Sequence, residues 1–319
     1  MKGLWFQQRG VALISVLLIF ALITIISGAM LKQSYLNTKR LSHYLNTHQA
    51  YYYALAAEQL ARQYLYRDIQ EESRAKEAVH YDSFDDEWAQ QLEAFSIDEG
   101  SLEIIITDLQ AKLNLNDLFD SESNQLRSAH VEVFTRLLLR EGMPQGYRDV
   151  ILDWLDSDNE LRPQGAENDY YQSLKTPFVS AGRDFVDLSE LLLLKGVSHQ
   201  DVLALSQAIT LLPEATPINM NTASKQLLGV LSDSMTNRDV NAVLTDQRAG
   251  GFDTVEQWLQ QSYGASLAAS GLSFAVASSY FEVRIKSVYD GRLCRLTTVF
   301  YRNPENGELQ VVKRQRDAL

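Results

Sequence analysis

The 319-residue chain is 45% hydrophobic, carries a net charge of −12 and has one cysteine. That apolar fraction supports packed cores and excludes a disordered chain, while the single Cys294 excludes an internal disulfide. Charge is unevenly spread: residues 1–67 are net +6, residues 68–170 net −17 and residues 171–319 net −1, so the middle segment repels nucleic acid and favours cations or basic partners.

Arg9 and Gly10 precede an apolar run that continues without a charge from Val11 to Leu31. About 21 residues at ~1.5 Å each make roughly 31 Å of helix, the hydrocarbon thickness of a bilayer. A secretory signal peptide competes with a membrane span here, because Lys2 and Arg9 form a basic start and Ser27-Gly28-Ala29 a small-residue cluster. The run exceeds the ~7–15 apolar residues of a removable segment, so retention is expected. Positive charge does not orient it, since Lys2 and Arg9 face Lys32, Lys39 and Arg40 across the span.

From Leu31 to Arg74 the chain has neither Pro nor Gly, and Leu41, Tyr44, Leu45, Tyr52, Leu55, Leu60, Tyr64 and Leu65 recur at helical spacing. The membrane helix is therefore expected to continue as one long rod with those residues along one face. Tyr51-Tyr52-Tyr53 with Ala54, Ala56 and Ala57 suits packing onto a sheet. Acidic turns follow around 81–87, and the β-branched run Ser101–Asp108 predicts a strand. The spacing then predicts helices over 125–141, 145–155, 187–195, 199–209, 223–231, 237–248 and 254–262. Strands return at Tyr280–Val288, Arg292–Tyr301 and Glu308–Lys313, divided by turns at Asp290-Gly291 and Asn303–Gly307. Cys294 is expected to be buried in the second of these. The pattern is that of an α+β chain in which a helical block, residues 109–270, interrupts a sheet formed from residues within 32–108 and 271–319.

The segment Asp153–Tyr171 is the richest in metal-ligand chemistry. With Asp156 at position 1 of a calcium loop, Asp158 falls at 3, Glu160 at 5, the Arg162 carbonyl at 7 and Glu167 at 12. Position 6 is Leu161 where the EF-hand turn takes Gly, and Pro163 opposes a helical exit. A calcium loop of another shape and a solvated acidic turn both fit this spacing. The chain contains no Gly-x-Ser-x-Gly, P-loop, His-Glu-x-x-His or Gly-x-Gly-x-x-Gly signature, and no enzymatic activity is expected.

The basic leader ending in Gly10 resembles that of the type IV pilin and pseudopilin families. The resemblance implies cleavage after Gly10 by a prepilin peptidase, with Val11 as an N-methylated new terminus. It also places the leader in the cytoplasm and the bulk of the chain in the periplasm, anchored in the inner membrane by residues 11–31. Filament-forming members carry Glu at the fifth mature position, where it neutralises a neighbour's terminal ammonium; this chain has Ser15 there. An ammonium in hydrocarbon without a counter-charge is costly, so a subunit lacking that Glu forgoes a docking contact and suits the filament tip.

Three further motifs, Asp108–Asn116, the acidic segment Asp153–Tyr171 and Pro217–Ser224, occur in the order seen in the K-type minor pseudopilins of the type II secretion system, a family this chain closely resembles. The resemblance implies a pilin-like fold with a large inserted α-domain carrying structural Ca²⁺, for which Asp156, Asp158, Glu160 and Glu167 are the matching ligands, with Asp153 or Asp169 as additions. It implies a tip complex with I- and J-type minor pseudopilins, above other pseudopilins and the inner-membrane assembly platform, with secreted substrates and the secretin channel as further candidate partners. Residues 218–224 with Leu227, Leu231, Val240, Val243, Gly250-Gly251-Phe252 and Trp258 also resemble the helix-hairpin-helix repeat of competence DNA receptors. The hairpin here, Leu231–Thr236, lacks Gly and carries Asp233, so a packing module is expected in place of DNA binding, with Asn221 or Thr222 capping the next helix. The competing functions are a competence or type IV minor pilin that binds DNA and a membrane-anchored periplasmic hydrolase.

Overall fold

A computed structural model describes residues 11–74, 80–90, 92–97 and 100–316. The leader, and with it the expected cleavage at Gly10, lies outside the described residues. Helix α1 runs unbroken over Val11–Arg74, 64 residues or about 96 Å. Its first half reaches a mean hydropathy of 2.6, and none of that window is buried within the protein, as a candidate membrane anchor requires.

The second half of α1 packs on a sheet through a face that only partly matches the expected one: Leu65 is buried and Leu55, Leu60 and Tyr64 pack against the core, as do the expected Ala54 and Ala57. Leu41, Tyr44, Leu45 and Tyr52 are exposed, while Ala50, Ala54, Ala57, Ala61, Leu65 and Ile69 are buried. These recur at three or four residues, and the alanines bring the helix axis close to the sheet, where larger side chains would hold it off. Glu58 lies in this buried row at 0% exposure. Arg314 grips it bidentately through Nε and Nη2 at 2.7 and 2.6 Å, and Thr298 Oγ1 donates to it at 2.7 Å.

Five strands form the main sheet: β1 (Leu92–Ile97), β2 (Gly100–Asp108), β3 (Tyr280–Tyr289), β4 (Arg292–Arg302) and β5 (Leu309–Arg316). Their spatial order is β1-β2-β3-β4-β5, and every neighbouring pair is antiparallel. Register sets Ile104 opposite Ile285, and Ile285 opposite Leu296. Period-two alternation puts Leu102, Ile104, Ile106, Phe281, Val283, Ile285, Cys294, Leu296 and Phe300 on the α1 side, while Arg284, Lys286 and Arg295 face solvent. Cys294 is buried in β4, as expected.

The strands β2 and β3, adjacent in space, are separated in sequence by the helical block. Its helices are α2 (Ser128–Arg140), α3 (Gly146–Leu155), α4 (Asn168–Gln172), α5 (His199–Leu205), α6 (Lys225–Leu228), α7 (Asn237–Arg248), α8 (Val255–Leu259) and α9 (Gly264–Ala268). They share one core that includes Phe134, Leu137, Ile151, Trp154, Tyr171, Phe185, Leu231, Val243 and Trp258. The helix expected over 187–195 is a 3-10 turn at Leu188–Leu193, and the one expected over 199–209 stops at Leu205. It stops because Ile209-Thr210 pair in parallel with Leu113-Asn114, a tertiary contact that overrides local helical preference. Strand β1 and helices α4 and α9 are additions to the expected elements.

A buried polar knot ties α1 to the sheet. Arg302, 1% exposed, donates to Asp82 Oδ1 at 2.6 Å, to Asp68 at 3.1 Å and to the Ser278 carbonyl at 2.9 Å, and lies 4.5 Å over the Phe281 ring. Burial pushes Asp82 up, but the charges of Arg302 and His80 outweigh it and hold the carboxyl below its ordinary value.

Candidate functional site

Helix α3 delivers the acidic segment. Asp153 and Asp156 are both buried at its C-terminal end, where Asp156 takes extended backbone (φ −79°, ψ 163°) and turns the chain into the loop. The loop rests on an aromatic floor, with Trp154 stacked on Phe185 at 5.9 Å and edge-on to Tyr171 at 5.8 Å. Asp156, Asp158 and Glu167 converge so that one carboxylate oxygen from each lies within 4.8 Å of the others. Asp158 is exposed; Asp156 and Glu167 are buried. Glu160 and Asp169 are exposed and stand outside this group.

Asp153 is committed elsewhere. Arg162 Nη1 donates to Asp153 Oδ1 at 2.6 Å, and the same nitrogen donates to Asp156 Oδ2. The Arg162 side chain, which ligand spacing passes over in favour of its carbonyl, is thus the cation of the site. Gly165 makes the approach possible: a Cβ there would lie 1.8 Å from Asp153 Oδ2. Asp149, also absent from the expected ligands, braces the loop by accepting from the Gln164 amide at 3.2 Å.

Two buried oxygens of these residues, Asp156 Oδ1 and Glu167 Oε1, have no hydrogen-bond partner. Burial and then the neighbouring charges of Asp153, Asp156 and Asp158 push Glu167 up to about 7, and burial also raises Asp156. A buried carboxylate oxygen without a partner is costly, and a cation at this point would offset that cost. All three donors are hard oxygens, which suits Ca²⁺ over metals that prefer nitrogen or sulfur. Leu161, in the place of the EF-hand glycine, does not take a positive φ, and Glu160 at position 5 stands outside the group, so the loop does not follow EF-hand geometry.

The other two motifs form the junction between sheet and helical block. Asp108, at the end of β2, accepts from Thr222 Oγ1 at 2.5 Å, Ser278 Oγ at 2.7 Å, Asn219 Nδ2 at 3.0 Å and the Gln110 amide at 2.8 Å. Burial still pushes it up to about 6. Asn114 and Asn116 hold the backbone at Leu212 and Phe185, and Asn221 accepts from the Phe252 amide and Trp258 Nε1. The expected cap at Asn221 or Thr222 is replaced by Ser224, whose hydroxyl accepts from the Leu227 amide. Asn221 and Thr222 are drawn inward because side-chain amides and hydroxyls satisfy loop backbone that strands and helices leave unpaired.

The hairpin between α6 and α7 has the amides of Ser234, Met235 and Thr236 occupied. Ser234 N donates to Ser232 Oγ, Met235 N to the Ser232 carbonyl and Thr236 N to Asp239, while the Asp233 side chain is 88% exposed. Leu227, Leu231, Val243 and Trp258 of this module are buried, so it packs.

The family model for "Type II secretion system (T2SS), protein K" matches in two parts, residues 111–214 and 218–283. The chain is 32% identical over 315 residues to type II secretion system protein K of Pseudomonas aeruginosa, covering 96% of this chain and 92% of that one. It is 28% identical over 320 residues to the protein of the same name from Aeromonas hydrophila, covering 94% and 95%. A chain in the crystal structure of the GspK-GspI-GspJ complex from the enterotoxigenic Escherichia coli type 2 secretion system superposes with a TM-score of 0.71 at 21% identity, over 88% of this chain and all of that one. The matched stretches contain all four junction asparagines and the whole acidic loop, and the chain belongs to the type II secretion system protein K family of minor pseudopilins.

Proposed function

We propose that this subunit occupies the tip of the secretion pseudopilus, where it initiates or caps the filament together with I- and J-type minor pseudopilins and takes part in protein export. The observation that carries the tip position is the bulk of the helical block, joined to the sheet through the Asp108 junction and sharing a core separate from that of α1. A shaft subunit is flanked by copies above and below, and a head of this size conflicts with such stacking. Ser15 on α1, in place of the neutralising Glu, agrees with it. The neighbour solved as a GspK-GspI-GspJ complex supports the choice of partners. In this reading α1 is inserted in the inner membrane with the bulk of the chain in the periplasm, the prepilin peptidase cuts after Gly10, and Val11 is methylated.

The role is structural and not enzymatic. Asp156, Asp158 and Glu167 hold Ca²⁺, which pins a loop whose carboxylates otherwise repel one another; the two unpartnered buried oxygens support this. DNA binding is disfavoured by the occupied hairpin amides and exposed Asp233. The test is co-purification: the full-length chain in detergent, mixed with its I- and J-type partners, is expected to elute with both. Separate elution at all concentrations overturns the tip complex.

A further inference from the structure

We propose that Arg162 is a built-in counter-ion that sets how tightly the acidic loop holds a divalent cation, an inference that rests on the cation site described above. One nitrogen, Nη1, bridges Asp153 Oδ1 at 2.6 Å and Asp156 Oδ2, with Asp153 and Asp156 0% and 1% exposed at their side chains and Arg162 23%. The Arg162 amide also points to Asp153 Oδ2, at 3.4 Å. Both oxygens of Asp153 are thus taken, and this carboxylate is held out of the cation group.

Asp156 is divided between two charges. Its Oδ2 accepts from Arg162, its Oδ1 is buried without a partner, and one of its oxygens belongs to the group with Asp158 and Glu167. A cation held by Asp156 would share that carboxylate with the guanidinium on Oδ2, so two positive charges would stand close together in a poorly screened place. Arg162 therefore acts in opposite directions in the two states. With no cation bound, it offsets part of the repulsion among Asp153, Asp156, Asp158 and Glu167. With a cation bound, it repels that cation and withholds Asp153 as a further ligand. The arrangement weakens the site and lets the loop persist without metal.

The experiment uses the full-length chain in detergent, stripped with EGTA and titrated calorimetrically with CaCl₂, alongside thermal melting in EGTA. Arg162→Gln is expected to bind Ca²⁺ at least tenfold more tightly than the unaltered chain and to melt earlier in EGTA. Arg162→Lys keeps the charge and is expected to stay within about threefold of the unaltered affinity. A glutamine variant that folds only when Ca²⁺ is added also meets the expectation. If the unaltered chain binds Ca²⁺ and the glutamine variant binds it equally or more weakly, the counter-ion role is wrong. If the unaltered chain takes up no Ca²⁺, the cation site itself is wrong, a separate failure.

Discussion

Replacing Arg302 with Met tests the knot that joins α1 to the sheet. Met keeps an unbranched apolar stem against Phe281 but removes the guanidinium, leaving Asp82, 0% exposed, with the Ser278 amide at 2.6 Å among its remaining donors. Removing one partner of a buried ion pair costs about 3–5 kcal/mol, because the other charge stays buried and uncompensated. For a chain of this length that corresponds to a Tm lower by roughly 4–8 °C. Trp88 reports the change directly, since its ring lies edge-on to Phe281 at 5.0 Å. Melting of the full chain in detergent, followed by tryptophan fluorescence, is the assay. Adding Asp82→Asn removes the stranded charge and is expected to recover at least half the loss. The deficit of the single variant is also expected to shrink as pH falls, because Asp82 without Arg302 is governed by burial and protonates. A Tm drop under about 3 °C, or a double variant no more stable than the single one, refutes the account of the knot.

Asp108 gives a pH-dependent prediction. Its folded value of about 6 lies above its ordinary 3.8, so the native state binds the extra proton, and the stability this confers is complete below about 4 and lost as pH rises through 6. The unaltered chain is expected to gain on the order of 3 kcal/mol relative to Asp108→Asn between pH 7 and pH 4; parallel stability curves contradict this. Gly165→Ala drives a Cβ to 1.8 Å from Asp153 Oδ2, and the displacement is expected to cost about 1–3 kcal/mol by urea denaturation in EGTA, whereas a neutral result shows that the loop is looser than described. Ala54→Leu forces extra methyl groups between α1 and the sheet and is expected to cost a similar ~1–3 kcal/mol, which an unchanged urea midpoint would exclude.

The long helix, the three C-terminal strands and most helices of the inserted block are legible in the sequence because their apolar periods are strong. The face of α1 is less so: Leu41, Tyr44, Leu45 and Tyr52 outweigh the alanines in any hydrophobic count, yet closeness of approach decides which side meets the sheet. Glu58 and Arg302 are invisible for the same kind of reason, since their partners lie 256 and 220 residues away and local sequence carries no sign of them. At the acidic loop, spacing picks out Asp156, Asp158 and Glu167, which do converge, but also Glu160, which is exposed and stands outside the group. Asp153, an addition implied by the resemblance, is removed by the side chain of Arg162, to which spacing assigned only a carbonyl. The sequence marks the asparagines at 114, 116, 219 and 221 only as parts of motifs, with a helix cap expected at Asn221; folded, they are the hydrogen-bonding partners of distant backbone.

Position within the filament bears most directly on the central claim. Fibres isolated from cells that carry an epitope-tagged copy of this chain can be decorated with gold-labelled antibody and imaged. Label is expected at one end of each fibre, distal to the membrane, and none along the shaft. Gold repeating at intervals down the fibre body contradicts it.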